Sequence, residues 1–212
     1  MQQGEKFNTF THLLGAVAAI PGLVYLIVLA AASRDAWKIT SVSIYGTTLL
    51  LLYTFSTLYH GHSGRFKNLL QKLDHLSIYL LIAGTYTPYM LVTLRGAWGW
   101  SILGVVWGLA LIGMIIDSLP NKSSNDKRLI PLLIYLVMGW LIVIPLNPLS
   151  QQFSAHNASS GIVWLAIGGV LYTVGVVFFV LSDRLKYAHG IWHLFVMGGS
   201  MSHYVSISLY VI

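Results

Sequence analysis

Two histidines four residues apart stand near the carboxyl end of the chain, in the segment HGIWH. At this spacing His189 and His193 lie on one face of a helix, close enough for both imidazoles to bind one metal ion. The pair lacks the glutamate of the H-E-x-x-H motif that marks many metalloproteases, and polar residues are common at membrane interfaces. A metal site therefore needs further ligands from other parts of the chain.

Candidates for such partners are Ser56 and His60 in the segment STLYH, and Asp74 in LDH. His60 would be a third imidazole ligand, and three histidines with an open fourth position are the ligand set of a catalytic zinc ion. Zinc lowers the pKa of bound water to about 7 and so makes hydroxide available at neutral pH. Asp74 could hold that water and take its proton, or it could bind the metal directly or support one of its ligands. Ser56 could hydrogen-bond the nucleophile, the substrate or a ligand.

The composition requires a lipid environment. Charged residues make up 8% of the 212 residues and hydrophobic residues 56%, whereas a typical soluble protein is about 25% charged. The absence of cysteine excludes disulfides and thiolate metal ligands. The net charge of +6 is better explained by membrane topology than by nucleic-acid binding, since the sequence has no basic-groove or stacking-aromatic pattern.

A membrane-spanning helix needs about 20 apolar residues, and the sequence predicts seven such helices. The predicted fold is all-α, a polytopic membrane protein with a single domain over residues 1–212. The first apolar stretch is longer than the core of a signal peptide and follows no clear basic segment, so we interpret it as a retained span. The predicted spans are 12–32, 40–60, 74–94, 97–117, 129–149, 161–181 and 188–211.

The basic residues predict the orientation of these spans. Nine of the 12 lysines and arginines fall on the side of the amino terminus and three on the other side, so the amino terminus is predicted in the cytoplasm and the carboxyl terminus outside. This topology places His60, Asp74 and the pair His189 and His193 at the cytoplasmic ends of three spans. The orientation was derived from lysine and arginine alone, so it is independent of the histidines. That these candidate residues nevertheless lie at one depth supports a shared site. The basic residues of one cytoplasmic connection are Lys122, Lys127 and Arg128.

Two more histidines could take part. His12 opens span 1 on the cytoplasmic side and could support a ligand or substitute for one, but we favour a position at the interface without such a role. His203 follows His193 by ten residues, which puts it about 15 Å deeper at 1.5 Å per residue and out of reach of the same ion. There it is hydrogen-bonded to a neighbouring helix or belongs to a proton or substrate path, and we favour the first. In span 3, Pro88 is expected to kink the helix.

The segments STLYH, LDH and HGIWH resemble the motifs of the haemolysin III family, the bacterial branch of the progestin and adipoQ receptors, which include the adiponectin receptors. FNTFTHLLG, IYLLIAGTYTPYML and YLVMGW are also similar to it, and the resemblance covers nearly the whole chain. It implies seven spans, with zinc held near the cytoplasmic face by His60, His189 and His193. It also implies that Asp74 contacts the zinc-bound water and that Ser56 is the serine of an S-x-x-x-H motif. The wider superfamily, with the alkaline ceramidases, implies metal-dependent hydrolysis of a lipid amide or ester.

These observations lead to three hypotheses. The first is a zinc-dependent hydrolase of a lipid amide or ester in the cytoplasmic (inner) membrane, with Zn²⁺ as cofactor, a membrane lipid as substrate or ligand, and no nucleic-acid partner. The second is a non-enzymatic, receptor-like or membrane-homeostasis protein in which zinc is structural. The third is a haemolysin-type lytic or transport protein, which needs a continuous polar path, and the few charged residues within the spans disfavour it.

Overall fold

Helices account for nearly all of the chain in a computed structural model that describes residues 5–119 and 126–212, with side chains for 5–119 and 129–212. A π-helical turn (Tyr89–Thr93) follows α3, and 3₁₀ turns (Leu141–Val143 and Leu181–Asp183) follow α5 and α7. Lys122 lies outside the described residues, as do the side chains of Lys127 and Arg128. The described helices are α1 (Glu5–Ala32), α2 (Ala36–Gly61), α3 (Lys67–Pro88), α4 (Ala97–Ser118), α5 (Asp126–Trp140), α6 (Leu146–Ala155), α7 (Ser160–Val180) and α8 (Ala188–Tyr210).

Several of these helices are long and apolar enough to cross a membrane. Within the described ranges, α1, α2, α3 with its π-helical turn, α4, and α7 with its 3₁₀ turn meet both conditions, and a sixth span results if the bent pair of α5 and α6 counts as one. The chain is therefore an all-helical, multi-pass membrane protein.

Helix α8 is long enough to span, but it is not among the helices whose hydropathy marks them as candidate spans. Its 23 residues would cover about 34 Å, against a hydrocarbon core of about 30 Å. Its polar side chains lower its hydropathy, and they are buried against neighbouring helices, where they find partners inside the protein. The buried polar residues of α8 are His193, Ser200, Ser202, His203, Ser206 and Ser208.

The region predicted as one continuous span, 129–149, is instead broken. Leu129–Val143 and Leu146–Ala155 are bent by 49° relative to each other. Pro145 stands at the break, and because proline has no N–H it cannot continue the helical hydrogen-bond ladder. Beyond the break, α6 is amphipathic, with Leu149 and Phe153 buried in the bundle.

Helices α1, α2 and α3 begin earlier than the predicted spans, whereas α8 begins at Ala188, as predicted. α1 begins at Glu5 and α3 at Lys67. Asp74 therefore lies two turns inside α3, not in its first turn, and His12 lies two turns inside α1. Hydropathy detects only the apolar part of a helix. The polar turns that precede this part are also helical, but hydropathy does not detect them.

The packing of α1 brings distant parts of the chain together. α1 packs along α2 on one side and α8 on the other, and α8 also packs along α7. Glycines permit close approach in these pairs: Gly15 of α1 lies against the ring of Tyr53 in α2, and Gly168 of α7 lies against the ring of His203 in α8. The end of α2 therefore lies beside the start of α8.

Candidate metal centre

Three histidine side chains from α2 and α8 meet at one end of the bundle. Nitrogen atoms of His60, His189 and His193 all lie within 4.8 Å of one another, and the Nε2 atoms of His60 and His189 are 3.3 Å apart. His60 and His193 are buried, and His189 is partly buried. The structure thus brings together the three residues that the sequence proposed as metal ligands, in a group that could hold one ion.

A carboxylate from α1 orients the ring of His60. Glu5 Oε2 lies 2.6 Å from His60 Nδ1, and the other carboxylate oxygen lies 3.9 Å from the Lys67 ammonium group. Since a carboxylate accepts hydrogen bonds, Nδ1 of His60 donates, and its Nε2 keeps a lone pair that is directed toward His189. Metal-binding histidines commonly have such a carboxylate behind them.

α1 also orients the ring of His193. Its Nδ1 lies 3.2 Å from the backbone carbonyl oxygen of Asn8 and 3.1 Å from Thr11 Oγ1. The carbonyl can only accept, so Nδ1 carries the proton and Nε2 a lone pair. That Nε2 is buried and has no hydrogen-bond partner among the described residues. An unsatisfied buried polar atom costs about 1–3 kcal/mol, and a metal ion is a partner that would remove this cost.

The close approach of α8 to α1 depends on a glycine and an unusual turn. Gly190 lies against the Phe7 ring and the Asn8 side chain, where a Cβ atom would collide. Tyr187, directly before α8, has a φ of 67°, a left-handed conformation that is uncommon for residues other than glycine. Its ring packs edge-on against Phe7, with centroids 6.2 Å apart. This contact holds the first turn of α8, and with it His189, against α1.

Ser56 and Asp74 lie next to each other on α2 and α3. Asp74 is 8% exposed and lines an internal cavity. Ser56 is one helical turn from His60 and is fully buried. Its hydroxyl lies beside the Asp74 carboxylate, but no partner in residues 5–119 or 126–212 gives it a hydrogen bond of good geometry. A small rotation of either side chain would make that bond.

His12 lies against the three histidines and not at the interface. Its ring stacks on the ring of His193, with centroids 3.6 Å apart and planes 9° apart, and it meets Tyr53 edge-on at 5.1 Å. It is 2% exposed, and neither ring nitrogen has a hydrogen-bond partner within the part of the chain that the structure describes. This ring contact fits the alternative in which His12 supports a ligand, and not the interface position that the sequence favours.

A cavity of about 350 Å³ extends into the bundle from His12, whose ring stacks on the ring of His193. Asp74 and His12 line it at one end, which we call the three-histidine end, and His203 lines it at the other, which we call the far end. Most of the lining between them is apolar and comes from α3, α5, α7 and α8. Trp140 and Val170, which also line the cavity, are more than half exposed. The cavity therefore reaches the outer surface of the bundle between α5 and α7.

His203 lies where the sequence predicts, bonded to a neighbouring helix. Its Nε2 is 3.2 Å from the backbone carbonyl oxygen of Leu165 in α7. It takes no part in the three-histidine group, which agrees with its predicted distance along α8.

Sequence reasoning missed the contribution of α1 apart from His12. Glu5, Asn8 and Thr11 supply the hydrogen bonds behind two of the three imidazoles. The signal for them was available: these residues and His12 recur at intervals of three or four, which places them on one face of a helix. A polar stripe that enters an apolar helix points to partners inside the protein.

Known proteins with similar sequences show which family the chain belongs to. The family described as Haemolysin-III related matches residues 2–204. A protein named Hemolysin-3 from Bacillus cereus is 42% identical over 211 residues, covering 98% of this chain and 92% of that protein. The human monocyte to macrophage differentiation factor is 30% identical over 209 residues, covering 96% of this chain and 82% of that protein. An adiponectin receptor protein of Drosophila melanogaster is 25% identical over 226 residues, covering 96% of this chain and 50% of that protein. The match over nearly its full length shows that the chain belongs to the Haemolysin-III-related family, with adiponectin receptors among its more distant relatives.

Proposed function

We propose that this protein is a zinc-dependent hydrolase of a lipid amide or ester. One observation carries the proposal: three imidazoles lie together in a group that could hold one ion, and His12, whose ring stacks on one of them, lines with Asp74 an apolar cavity that reaches the outer surface of the bundle. A volume of about 350 Å³ is within the range of small-molecule sites. A lipid that enters between α5 and α7 could place its chain in the cavity and its polar linkage beside the histidines.

Zinc suits this set of ligands. A tetrahedral zinc ion with Zn–N distances of about 2.0–2.1 Å has its ligand nitrogens about 3.3 Å apart, and the Nε2 atoms of His60 and His189 have this spacing. Imidazole ligands without thiolates suit zinc, although they also suit other transition metals. His60, His189 and His193 would hold the ion and leave one position open. When bound, zinc would supply a Lewis acid that activates water and polarises a carbonyl group.

The side chains around the three histidines supply the other requirements of hydrolysis. Asp74 would accept the proton from the attacking water and deliver it to the nitrogen or oxygen of the leaving group as the amide or ester bond breaks. Ser56 would donate a hydrogen bond to the Asp74 carboxylate or to the carbonyl oxygen of the lipid. Glu5 and Thr11 would keep the ligand rings in place.

We also propose that the chain crosses the cytoplasmic membrane seven times, with its amino terminus inside. The length of α8 and the burial of its polar residues support its inclusion as the last span, and α5 with α6 would form one bent span. The bias of lysine and arginine toward one set of connections supports the orientation. The three histidines would then lie near the cytoplasmic face.

The hydrolase proposal is tested with purified, zinc-loaded protein and a panel of lipid amides and esters, with the released fatty acid measured by mass spectrometry. Asp74→Asn should keep its zinc and lose about 10²- to 10⁴-fold in turnover, the range for removal of a general acid–base group. Asp117→Asn is the matched control, because Asp117 is also a poorly exposed carboxylate and pairs with His75 at 3.9 Å. Wild-type protein that carries a full complement of zinc and cleaves none of the lipids would contradict the proposal.

A structural role for zinc is the second candidate, and the packing favours it over a lytic or transport role. The ion would join α2 to α8, two helices that already share α1 as a neighbour. In that case zinc removal would lower the melting temperature, and Asp74→Asn would leave both stability and cell physiology unchanged. The mainly apolar lining of the cavity gives a lytic or transport path no support.

A further inference from the structure

The far end of the cavity carries two polar atoms without partners. His203 Nδ1 and the Tyr89 hydroxyl are both buried, and neither makes a hydrogen bond of good geometry to any described residue. Both side chains line the cavity. Unpaired polar atoms in an apolar interior are costly and usually have an explanation in a bound water, ion or ligand.

The contacts of His203 determine what its free nitrogen can bind. Its Nε2 faces the carbonyl oxygen of Leu165 at 3.2 Å, and because a carbonyl only accepts, Nε2 carries the proton. Gly168 lies against the same edge of the ring, so the ring is packed closely onto α7. Nδ1, on the other edge, is therefore a hydrogen-bond acceptor that needs a donor.

The backbone of α3 places Tyr89 at the same level. Tyr89 follows Pro88 and opens the π-helical turn, whose hydrogen bond runs from the Leu94 N–H to the Tyr89 carbonyl oxygen at 2.8 Å. Such widened turns occur frequently at functional sites. The Tyr89 hydroxyl lies beside the hydroxyl of Ser206 in α8, three residues after His203, but the two form no hydrogen bond of good geometry. The Ser206 hydroxyl itself donates to the carbonyl oxygen of Gly161 at 2.8 Å.

We propose that His203 and Tyr89 form a binding site for a hydroxyl group on the chain of the lipid. A hydroxyl both donates and accepts, so it can donate to His203 Nδ1 and accept from the Tyr89 hydroxyl. This inference rests on the proposed function and deepens it, because it names the lipid class that the same cavity takes: hydroxylated acyl lipids.

The position of the hydroxyl on the chain follows from the geometry of α8. Ten residues separate His193 from His203, about 15 Å along the helix. A fully extended backbone covers about 3.5 Å in three bonds, so about 12 or 13 bonds of an extended chain cover this distance. The hydroxyl should therefore lie about 12 carbons from the carbonyl group.

Binding of matched fatty acids to the full-length, zinc-loaded protein tests the proposal without any need for turnover. The probes are dodecanoic acid and 12-hydroxydodecanoic acid, with the corresponding pairs of eight and 16 carbons. The terminal hydroxyl should tighten binding about fivefold to tenfold for the 12-carbon pair, the effect of about one hydrogen bond. For the shorter and longer pairs it should have an effect of less than about twofold, because the hydroxyl falls short of the site or passes it.

Three variants show whether the preference comes from these residues. Tyr89→Phe removes only the hydroxyl and leaves one of the two proposed bonds, so it should reduce the preference to about two- to threefold, as should His203→Phe. Tyr79→Phe is the control: its hydroxyl is also buried and unpartnered among the described residues, but Tyr79 is not among the residues that line the cavity. It should keep the full preference.

The outcomes separate this proposal from the hydrolase proposal. In His60→Ala, which lacks a metal ligand, both acids should bind more weakly while the preference for the hydroxyl remains. Equal affinity within each pair would overturn the proposal and would mean that water alone satisfies the two atoms. Failure of both acids to bind, or a preference that survives Tyr89→Phe and His203→Phe, would overturn it as well.

Discussion

The histidines at the two ends of the cavity are held in opposite ways. At the three-histidine end, Glu5 and the Asn8 carbonyl oxygen bond Nδ1 of His60 and His193, so each ring keeps an Nε2 lone pair. At the far end, the Leu165 carbonyl oxygen bonds Nε2 of His203 and leaves a lone pair on Nδ1. The acceptor behind each ring therefore decides which nitrogen is available. Several nitrogen lone pairs close together can bind a metal ion, whereas the single lone pair of His203 can accept a hydrogen bond from a donor.

The largest expected effect is the loss of metal when a histidine of the group is removed. His60→Ala or His193→Ala should weaken zinc binding by more than about 100-fold, since even loss of a residue that only supports a ligand costs about 10–100-fold. His203→Phe, which changes a buried histidine of the same helix as His193, should leave zinc affinity unchanged. Competition with a chelator of known affinity measures all three. If His203→Phe lost as much zinc affinity as His60→Ala and His193→Ala, metal binding would not be confined to the three-histidine end.

A smaller effect is expected when Glu5 is changed. Glu5→Gln keeps the shape of the side chain but weakens the bond to His60 Nδ1, so zinc affinity should fall by about 10–100-fold. Asp35→Asn is the control, because Asp35 lies in the connection between α1 and α2 and pairs with Arg95 at 3.2 Å. Unchanged zinc affinity in Glu5→Gln would show that this carboxylate does not support a ligand.

Thr11 should have a more modest effect, because His193 Nδ1 has a second acceptor in the Asn8 carbonyl oxygen. Thr11→Val removes the hydroxyl at nearly constant volume, and we expect a loss of about tenfold in zinc affinity. Thr11→Ser keeps the hydroxyl and should bind zinc like the wild type. If both variants lost zinc affinity to the same extent, the cause would be altered packing and not the loss of the hydroxyl.

The smallest effect is expected at the far end. The Tyr89 hydroxyl has no hydrogen-bond partner in the described part of the chain, so Tyr89→Phe breaks no bond. The melting temperature should change by less than about 2 °C, and zinc affinity should not change. A clear loss of stability, measured by thermal unfolding in detergent, would mean that the hydroxyl already has a partner within the folded protein.

The grouping of His60, His189 and His193 could be predicted from sequence because its signals are local and rare. An i, i+4 histidine pair and a few ionisable residues stand out in an apolar chain, and the charge bias places them at one depth. The family relation that these motifs predict is confirmed by the match to residues 2–204. That His60, His189 and His193 bind zinc remains a prediction.

The supporting contacts could not be predicted in the same way. Glu5 and His60 are 55 residues apart, and Asn8 and His193 are 185 apart. Spacing along the sequence says nothing about such contacts, which arise because α1 packs between α2 and α8. The break at Pro145 was missed because the residues on both sides are apolar enough to be read as one span. The cavity is likewise a consequence of packing, and no single segment encodes it.

The proposed zinc site can be tested with an anomalous difference map from crystals of the purified protein, collected on both sides of the zinc absorption edge. We expect one zinc peak per chain within bonding distance of the Nε2 atoms of His60, His189 and His193, and no peak in crystals of His193→Ala. A zinc-supplemented crystal with no anomalous peak at these atoms, or a peak that persists in His193→Ala, would contradict the proposed site.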